Sequence, residues 1–220
     1  GALLYGGEGA RSAPPSAPID RALTPVSPAR AAGERLRLVA FGTSLTAHYD
    51  WPDALAAALE RCRGAPVRME RIAMGGADTA WALAALPRVL AAAPDVILIE
   101  FAVNDADLRR RTGLATSRAR QLALVDTVRA ALPETRIVLM TMSPATGFKR
   151  LLRPRLPAYN AMLHALARAE GLGLADLAPR WHGVTLPDGV HPRPEDAARI
   201  IVPPLTALLG ASLGRACAAL

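Results

Sequence analysis

The stretch LRLVAFGTSL at residues 36–45 carries an apolar run of strand length straight into Gly42, Thr43 and Ser44. Only Arg37 interrupts the run, so the strand reads as covered on both faces, as strands inside parallel sheets are. The glycine then ends the strand in a tight turn and a helical segment follows. Such a junction lifts the Ser44 hydroxyl clear of the sheet edge and aims the first helical amides at the same spot. The plainer alternative is a serine that caps the helix.

Outward from this junction the same alternation returns. Runs at 67–74, 96–101, 137–142 and 172–177 read as further strands, while 51–62, 79–93, 117–132 and 156–170 place apolar residues every three or four positions, as amphipathic helices do. A last helix begins near Pro194 and Glu195 and is expected to kink or restart at Pro203 and Pro204. Five β-α units joined by right-handed crossovers predict a three-layer α/β/α sandwich around a five-stranded parallel sheet; the strand order expected for it is the flavodoxin-like 2-1-3-4-5. Residues 34–220 are assigned to this domain. Residues 1–33, broken by Pro14, Pro15, Pro18, Pro25 and Pro28, read as a leader or linker, with a strap packed along the domain as the alternative.

Composition removes several classes of function. With 220 residues, 51% hydrophobic and 20% charged, the chain can bury the core of one domain and is not intrinsically disordered. Its longest apolar runs fall well short of the roughly 20 residues that cross a bilayer, so no membrane span is expected. Twenty-six bases against 19 acids leave a net charge of +7, but Lys149 is the only lysine and aromatic residues are 4% of the chain. A protein with so few rings for stacking bases is not expected to bind nucleic acid. Cys62 and Cys217 are too few for a metal cluster or a disulfide framework. The strand order would put their helices on one face of the sheet, within reach of a single bridge, with two free thiols as the alternative. A bridge would suit an oxidising compartment. Together with a first residue that is glycine rather than methionine, read as the mark of a removed upstream segment, this gives a periplasmic or secreted location as the expectation.

Ligands of such a fold bind beyond the carboxyl ends of the strands, so the residues following each strand carry the functional reading. Strand two ends in MGGADT at 74–79, where Gly75 and Gly76 let the backbone approach a ligand and turn an N–H inward, or simply make a turn that Asp78 caps. Strand three ends in FAVND at 101–105. The Asn104 amide there can donate to a developing oxyanion and Asp105 can brace the loop, although both residues are also common in turns. Before the last helix, LPDGVHP at 186–192 sets Asp188 three residues ahead of His191, close enough to fix the ring tautomer and stabilise its charged form. The other three histidines are less well placed. His48 reaches Ser44 only if its segment is helical, His164 sits in an amphipathic helix, and His182 has no carboxylate nearby in sequence. A dinucleotide site is disfavoured because strand one leads into GTSL rather than a G-x-G-x-x-G turn.

A nucleophile, two oxyanion donors and an acid–base pair thus follow the strands in one order. In these four blocks the sequence resembles the SGNH hydrolase superfamily, the GDSL-type esterases and lipases, from about Arg35 to the C-terminal helix. The resemblance implies a serine hydrolase with Ser44 as nucleophile, His191 as base and Asp188 as the orienting carboxylate. It also implies an oxyanion hole made by the Ser44 amide, the Gly76 amide (Gly75 being the alternative) and the Asn104 side chain, and chemistry that needs neither a metal nor an organic cofactor. Two residues depart from the family pattern, Thr43 where aspartate usually precedes the serine and Ala102 where glycine usually stands two before the asparagine.

The short domain leaves no room for a large lid, which favours an open cleft and a short acyl group such as acetyl, on a small-molecule or glycan ester. Arg109, Arg110 and Arg111 after strand three and Arg150 and Arg153 after strand four form a candidate substrate rim that would attract an anionic substrate. The alternatives are an acyltransferase using the same triad and a non-catalytic carbohydrate-binding protein on the same fold.

Overall fold

The computed structural model describes residues 16–217; residues 1–15, the first part of the expected leader, and 218–220 lie outside the described residues. In chain order the elements are α1 (Pro28–Ala31), β1 (Leu36–Gly42), α2 (Ser44–Ala47), α3 (Trp51–Arg63), β2 (Val67–Ala73), α4 (Thr79–Ala92) and β3 (Val96–Glu100). Then come α5 (Ala102–Asp105), α6 (Leu114–Ala131), β4 (Arg136–Thr141), α7 (Gly147–Leu152), α8 (Leu156–Glu170), β5 (Gly173–Asp176) and α9 (Pro194–Ser212). Short 3-10 turns cover Leu108–Arg110 and Ala178–Trp181.

The five strands are all parallel, as the β-α alternation predicts, and lie in the expected order β2-β1-β3-β4-β5. The three inner strands are buried almost throughout, which explains their continuous apolar runs. The outer strand β2 instead carries Arg68, Glu70 and Arg71, charges that keep an open edge from pairing with another chain.

The opposite edge is covered by residues that precede the domain. Arg21 and Leu174 exchange both backbone hydrogen bonds at 2.9 Å, the Ile19 amide donates to Asp176, and the Val26 amide donates to the Ser212 carbonyl at 3.0 Å. Leu23 and Val26 are buried by this contact. The described part of the leader is therefore a strap along β5, whose Leu23 and Val26 join the core while Ile19 stays exposed.

The expected restart of the last helix does not occur, since α9 runs as one element through Pro203 and Pro204. Ile200, Ile201, Leu205 and Leu209 on either side of the prolines are buried where α9 packs along α3, and that burial outweighs two missing amide donors. A disulfide joins Cys62 on α3 to Cys217 beyond α9, with the Cα atoms 5.6 Å apart. Among the described residues no helix is long and apolar enough to cross a membrane.

Candidate active site

In register, Gly42 at the end of β1 lies beside Ala73 of β2 and Glu100 of β3, so three strand ends finish at one level. Next to these ends Phe41 and Phe101 meet edge to face at 5.0 Å. Thr43 caps the four-residue helix α2 through its hydroxyl, which accepts the Leu45 amide at 3.2 Å. Ser44 is the first residue of α2 and not its cap, which leaves its hydroxyl free for another partner.

That partner is His191. Ser44 Oγ lies 2.7 Å from His191 Nε2, and His191 Nδ1 lies 2.6 Å from Asp188 Oδ2. Donation from Nδ1–H to the carboxylate leaves the Nε2 lone pair facing the serine, the tautomer that can accept a proton from it. The other carboxylate oxygen accepts the amides of Val190 and His191 at 2.9 and 2.7 Å. Burial alone would push the Asp188 carboxyl upward, but these amides and the imidazole together hold it down at about 2. The loop itself is pinned from three directions. Tyr49 Oη donates to the Pro192 carbonyl at 2.7 Å, Ser143 Oγ to the Val190 carbonyl at 2.9 Å, and the Thr146 amide to the Gly189 carbonyl at 2.7 Å. Burial, reinforced by the negative charge of Asp188, pushes the Tyr49 phenol up to about 12, so it remains a donor.

After β2 the chain makes a four-residue turn closed by the Ala77 amide on the Met74 carbonyl at 3.1 Å. Gly76 occupies its third position at φ +74°, the left-handed conformation that a type II turn demands there and that glycine adopts freely. Its amide has no backbone acceptor among the described residues. After β3, the buried Asn104 uses one side-chain N–H on the Ala77 carbonyl at 2.7 Å, tying the second and third loops together and leaving its other N–H uncommitted. Asp105 braces the same loop by accepting the amide and hydroxyl of Thr79 at 2.9 and 2.8 Å and the Ser117 hydroxyl at 2.5 Å. Burial raises its carboxyl in spite of these donors.

An open cleft of about 510 Å³ runs past Ser44, His191, Gly75, Gly76, His48 and Tyr49. His48 ends a segment that is indeed helical and its ring packs over Gly75, but the hydrogen bond of Ser44 Oγ goes to His191. His164 instead faces Asp176 at 3.1 Å. Among the described residues no group of three His, Cys, Asp or Glu side chains could hold a metal ion.

The five candidate rim arginines divide. Arg153 is buried and does not reach the rim. Its Nε–H donates to the Val103 carbonyl at 2.7 Å and its Nη2 pairs with Asp107 at 2.8 Å. Arg109 closes on the same carboxylate, and its hydrogen bonds, aided by Arg153 and opposed by burial, hold Asp107 at about 2. The buried carboxylate at this bend thus pairs with two of the cations, Arg153 from within the fold and Arg109 from the surface. Arg111 is exposed, and Arg150 is exposed beside a separate cavity of about 580 Å³ that α7, α8 and the strap enclose. Arg110 alone of the five stands beside Gly76, where a Cβ would meet its Nη2 at 2.9 Å, and it faces Asp78 at 4.0 Å.

Reading the sequence missed Tyr49, Ser143 and Thr146, which hold the histidine loop, and it missed Glu100. The last had a visible signal, a lone carboxylate closing the otherwise apolar run VILIE directly before the Asn104 loop.

Known structures share this architecture. An acetylxylan esterase, Axe2, from Geobacillus stearothermophilus superposes with a TM-score of 0.69 at 17% identity, over 81% of this chain and 95% of that one. A lipase/acylhydrolase from Enterococcus faecalis gives 0.67 at 21% identity over 84% and 100%, and TesA gives 0.65 at 22% over 80% and 99%. At such identities the likeness shows the fold. No curated protein matches the sequence. The sequence does match the GDSL-like Lipase/Acylhydrolase family over residues 40–198. That span is most of the chain and contains Ser44, the Gly76 turn, Asn104, Asp188 and His191, so the protein belongs to the GDSL-like lipase/acylhydrolase family and is an SGNH-type hydrolase.

Proposed function

We propose that the protein is a serine esterase that removes short acyl groups, acetyl first among them, from small-molecule or glycan esters. His191 Nε2 takes the Ser44 proton as Oγ attacks the ester carbonyl, and Asp188 stabilises the imidazolium that forms. The amides of Ser44 and Gly76 and the Asn104 side chain receive the oxyanion. The alcohol leaves with the proton held on His191, and water repeats the sequence on the acyl-enzyme. The observation that carries this reading is the unbroken relay from Ser44 Oγ through His191 to Asp188, at 2.7 and 2.6 Å.

The open cleft favours a short acyl group over a long chain, which would need a tunnel. Arg110 beside Gly76 favours substrates with an anionic group near the ester. The likeness to an acetylxylan esterase points the same way on acyl length and carrier. The disulfide supports a periplasmic or secreted location.

The test is a nitrophenyl ester series from acetate to decanoate, followed by acetate release from neutral and uronic-acid-bearing acetylated glycans. Fastest turnover of acetate and a preference for the acidic glycan that Arg110→Ala removes are the expected results. Turnover that rises with chain length defeats the acyl assignment.

A further inference from the structure

Glu100 closes the central strand β3 and its side chain is 2% exposed, yet it takes no part in the proton relay. All its hydrogen bonds go to residues around the serine. The Thr43 amide donates to it at 2.6 Å, the Thr43 hydroxyl lies 3.0 Å from both of its oxygens, and the Thr46 hydroxyl donates at 2.8 Å. Gly42, its neighbour across the sheet, has no room for a side chain, because a Cβ there would stand 2.1 Å from Glu100 Oε1. The carboxyl therefore occupies the space beneath the turn and gathers residues on both sides of Ser44.

No described Lys, Arg or His forms an ion pair with it. From β1 and α2 it meets Gly42, Thr43 and Thr46, none of which titrates. The nearby titratable groups all have other partners or none: Asp105 on α5 bonds Thr79 and Ser117, His191 bonds Ser44 and Asp188, and His48 packs on Gly75. Leaving a carboxyl buried without a cation is costly, so a site that keeps one invites a functional reading.

We propose that Glu100 is the positioning residue for Ser44, its ionised carboxylate locking Thr43 and Thr46 so that Ser44 Oγ stays in line with His191 Nε2. The ionised form satisfies every donor aimed at it. A protonated form must itself donate to one of the two hydroxyls, which can then no longer donate back along that bond, so protonation reverses one of the contacts that hold Thr43 and Thr46. Burial raises the carboxyl to about 7, which puts this change within the working range of an esterase. The inference rests on the reading of Ser44 as nucleophile.

The experiment measures turnover of nitrophenyl acetate by Ser44→Ala, Glu100→Gln, Thr46→Val and Thr46→Ser beside the wild type, from pH 5 to 9, with melting temperatures. Glu100→Gln is expected to lower kcat about 10- to 100-fold with KM within about twofold and no loss of melting temperature, the size of effect that a small misplacement of a nucleophile produces. Thr46→Val should lower kcat several-fold and Thr46→Ser should restore it. The acid limb of log kcat/KM should be steeper than one proton in the wild type and fall to one in Glu100→Gln. An inactive Ser44→Ala beside a Glu100→Gln with unchanged kcat overturns the inference alone, whereas an active Ser44→Ala overturns the nucleophile assignment. If Glu100→Gln loses kcat and melting temperature together and Thr46→Val keeps wild-type kcat, Glu100 only supports the fold and the inference also fails.

Discussion

Asp188 and Glu100 are the same functional group on opposite sides of Ser44, and each accepts hydrogen bonds from three donors. Their environments nonetheless drive them apart. Asp188 stands on a loop with its side chain 49% exposed, and its donors and the imidazole hold it at about 2 against the push of burial. Glu100 ends an inner strand, and burial lifts it to about 7 although its donors pull the other way. The number of hydrogen bonds does not set the charge state; the loss of water and the absence of a cation do. The exposed half of the site thus keeps a permanent anion beside the ring, and the buried half holds a carboxyl that titrates near neutrality.

The largest break in this picture comes at the point where the halves meet. Ser44→Ala should reduce ester turnover on the order of 10⁴-fold or more with the fold intact, and His191→Ala by a comparable factor, because the two act as a unit. Asp188→Asn should retain more activity than either, since it chiefly orients the ring. A Ser44→Ala variant with half of wild-type kcat would sink the assignment.

Next in size is Asn104→Ala, expected to lower kcat roughly 10²- to 10³-fold with a smaller change in KM, because an oxyanion donor acts mainly in the transition state. An effect confined to KM would make Asn104 a ground-state contact. The disulfide lies away from both halves. Cys217→Ser should cost about 2–5 kcal/mol of stability by chemical denaturation while kcat at room temperature stays within about twofold.

The comparison is sharpened by pH. Glu100 is raised from 4.5 to about 7 on folding, so the native state holds a proton there that the unfolded chain has released. The associated stability is full below about pH 4.5 and is lost as pH rises through about 7, on the order of 3 kcal/mol at 1.36 kcal/mol per unit. Glu100→Gln should flatten that decline in a urea series from pH 4.5 to 8. Asp188 behaves oppositely. Its stabilisation is present above about pH 4 and disappears as pH falls through about 2, and solvent around the half-exposed group keeps it small.

The smallest effect is expected at Tyr49→Phe, which removes one hydrogen bond to the histidine loop. A loss of about 1 kcal/mol, read as a drop of a few degrees in melting temperature, should accompany a modest fall in kcat. An unchanged kcat would mean that Ser143 and Thr146 suffice to hold the loop.

Much of this molecule was legible because the signals are local. The runs at 36–41 and 96–101 betray inner strands through continuous apolarity, and Asp188 and His191 lie within one loop, so their contact needs no knowledge of the rest of the fold. Ser44 and Asn104 could be read because each follows a strand, where a parallel sheet gathers its functional residues. Arg109 and Arg153 misled for a complementary reason. A run of basic residues shows its charge in the sequence, but not that Asp107 lies within reach, pairing with both and holding Arg153 inside the fold.

The residues that only tertiary structure could assign are those whose partners are distant in sequence. The strap meets β5 some 150 residues later, Tyr49 holds Pro192 at a separation of 143, and Glu100 reaches Thr43 across 57 residues because β3 lies beside β1 in the sheet. In sequence each is an ordinary proline-rich segment, aromatic or acid. The pattern of apolar and small residues determined the strands and the loops that carry the candidate reacting groups, since these follow from periodicity and chain connectivity. Burial decided which carboxyl stays charged, which arginine is withdrawn from the surface and which prolines a helix tolerates, because desolvation depends on everything that surrounds a group and not on its neighbours in the chain.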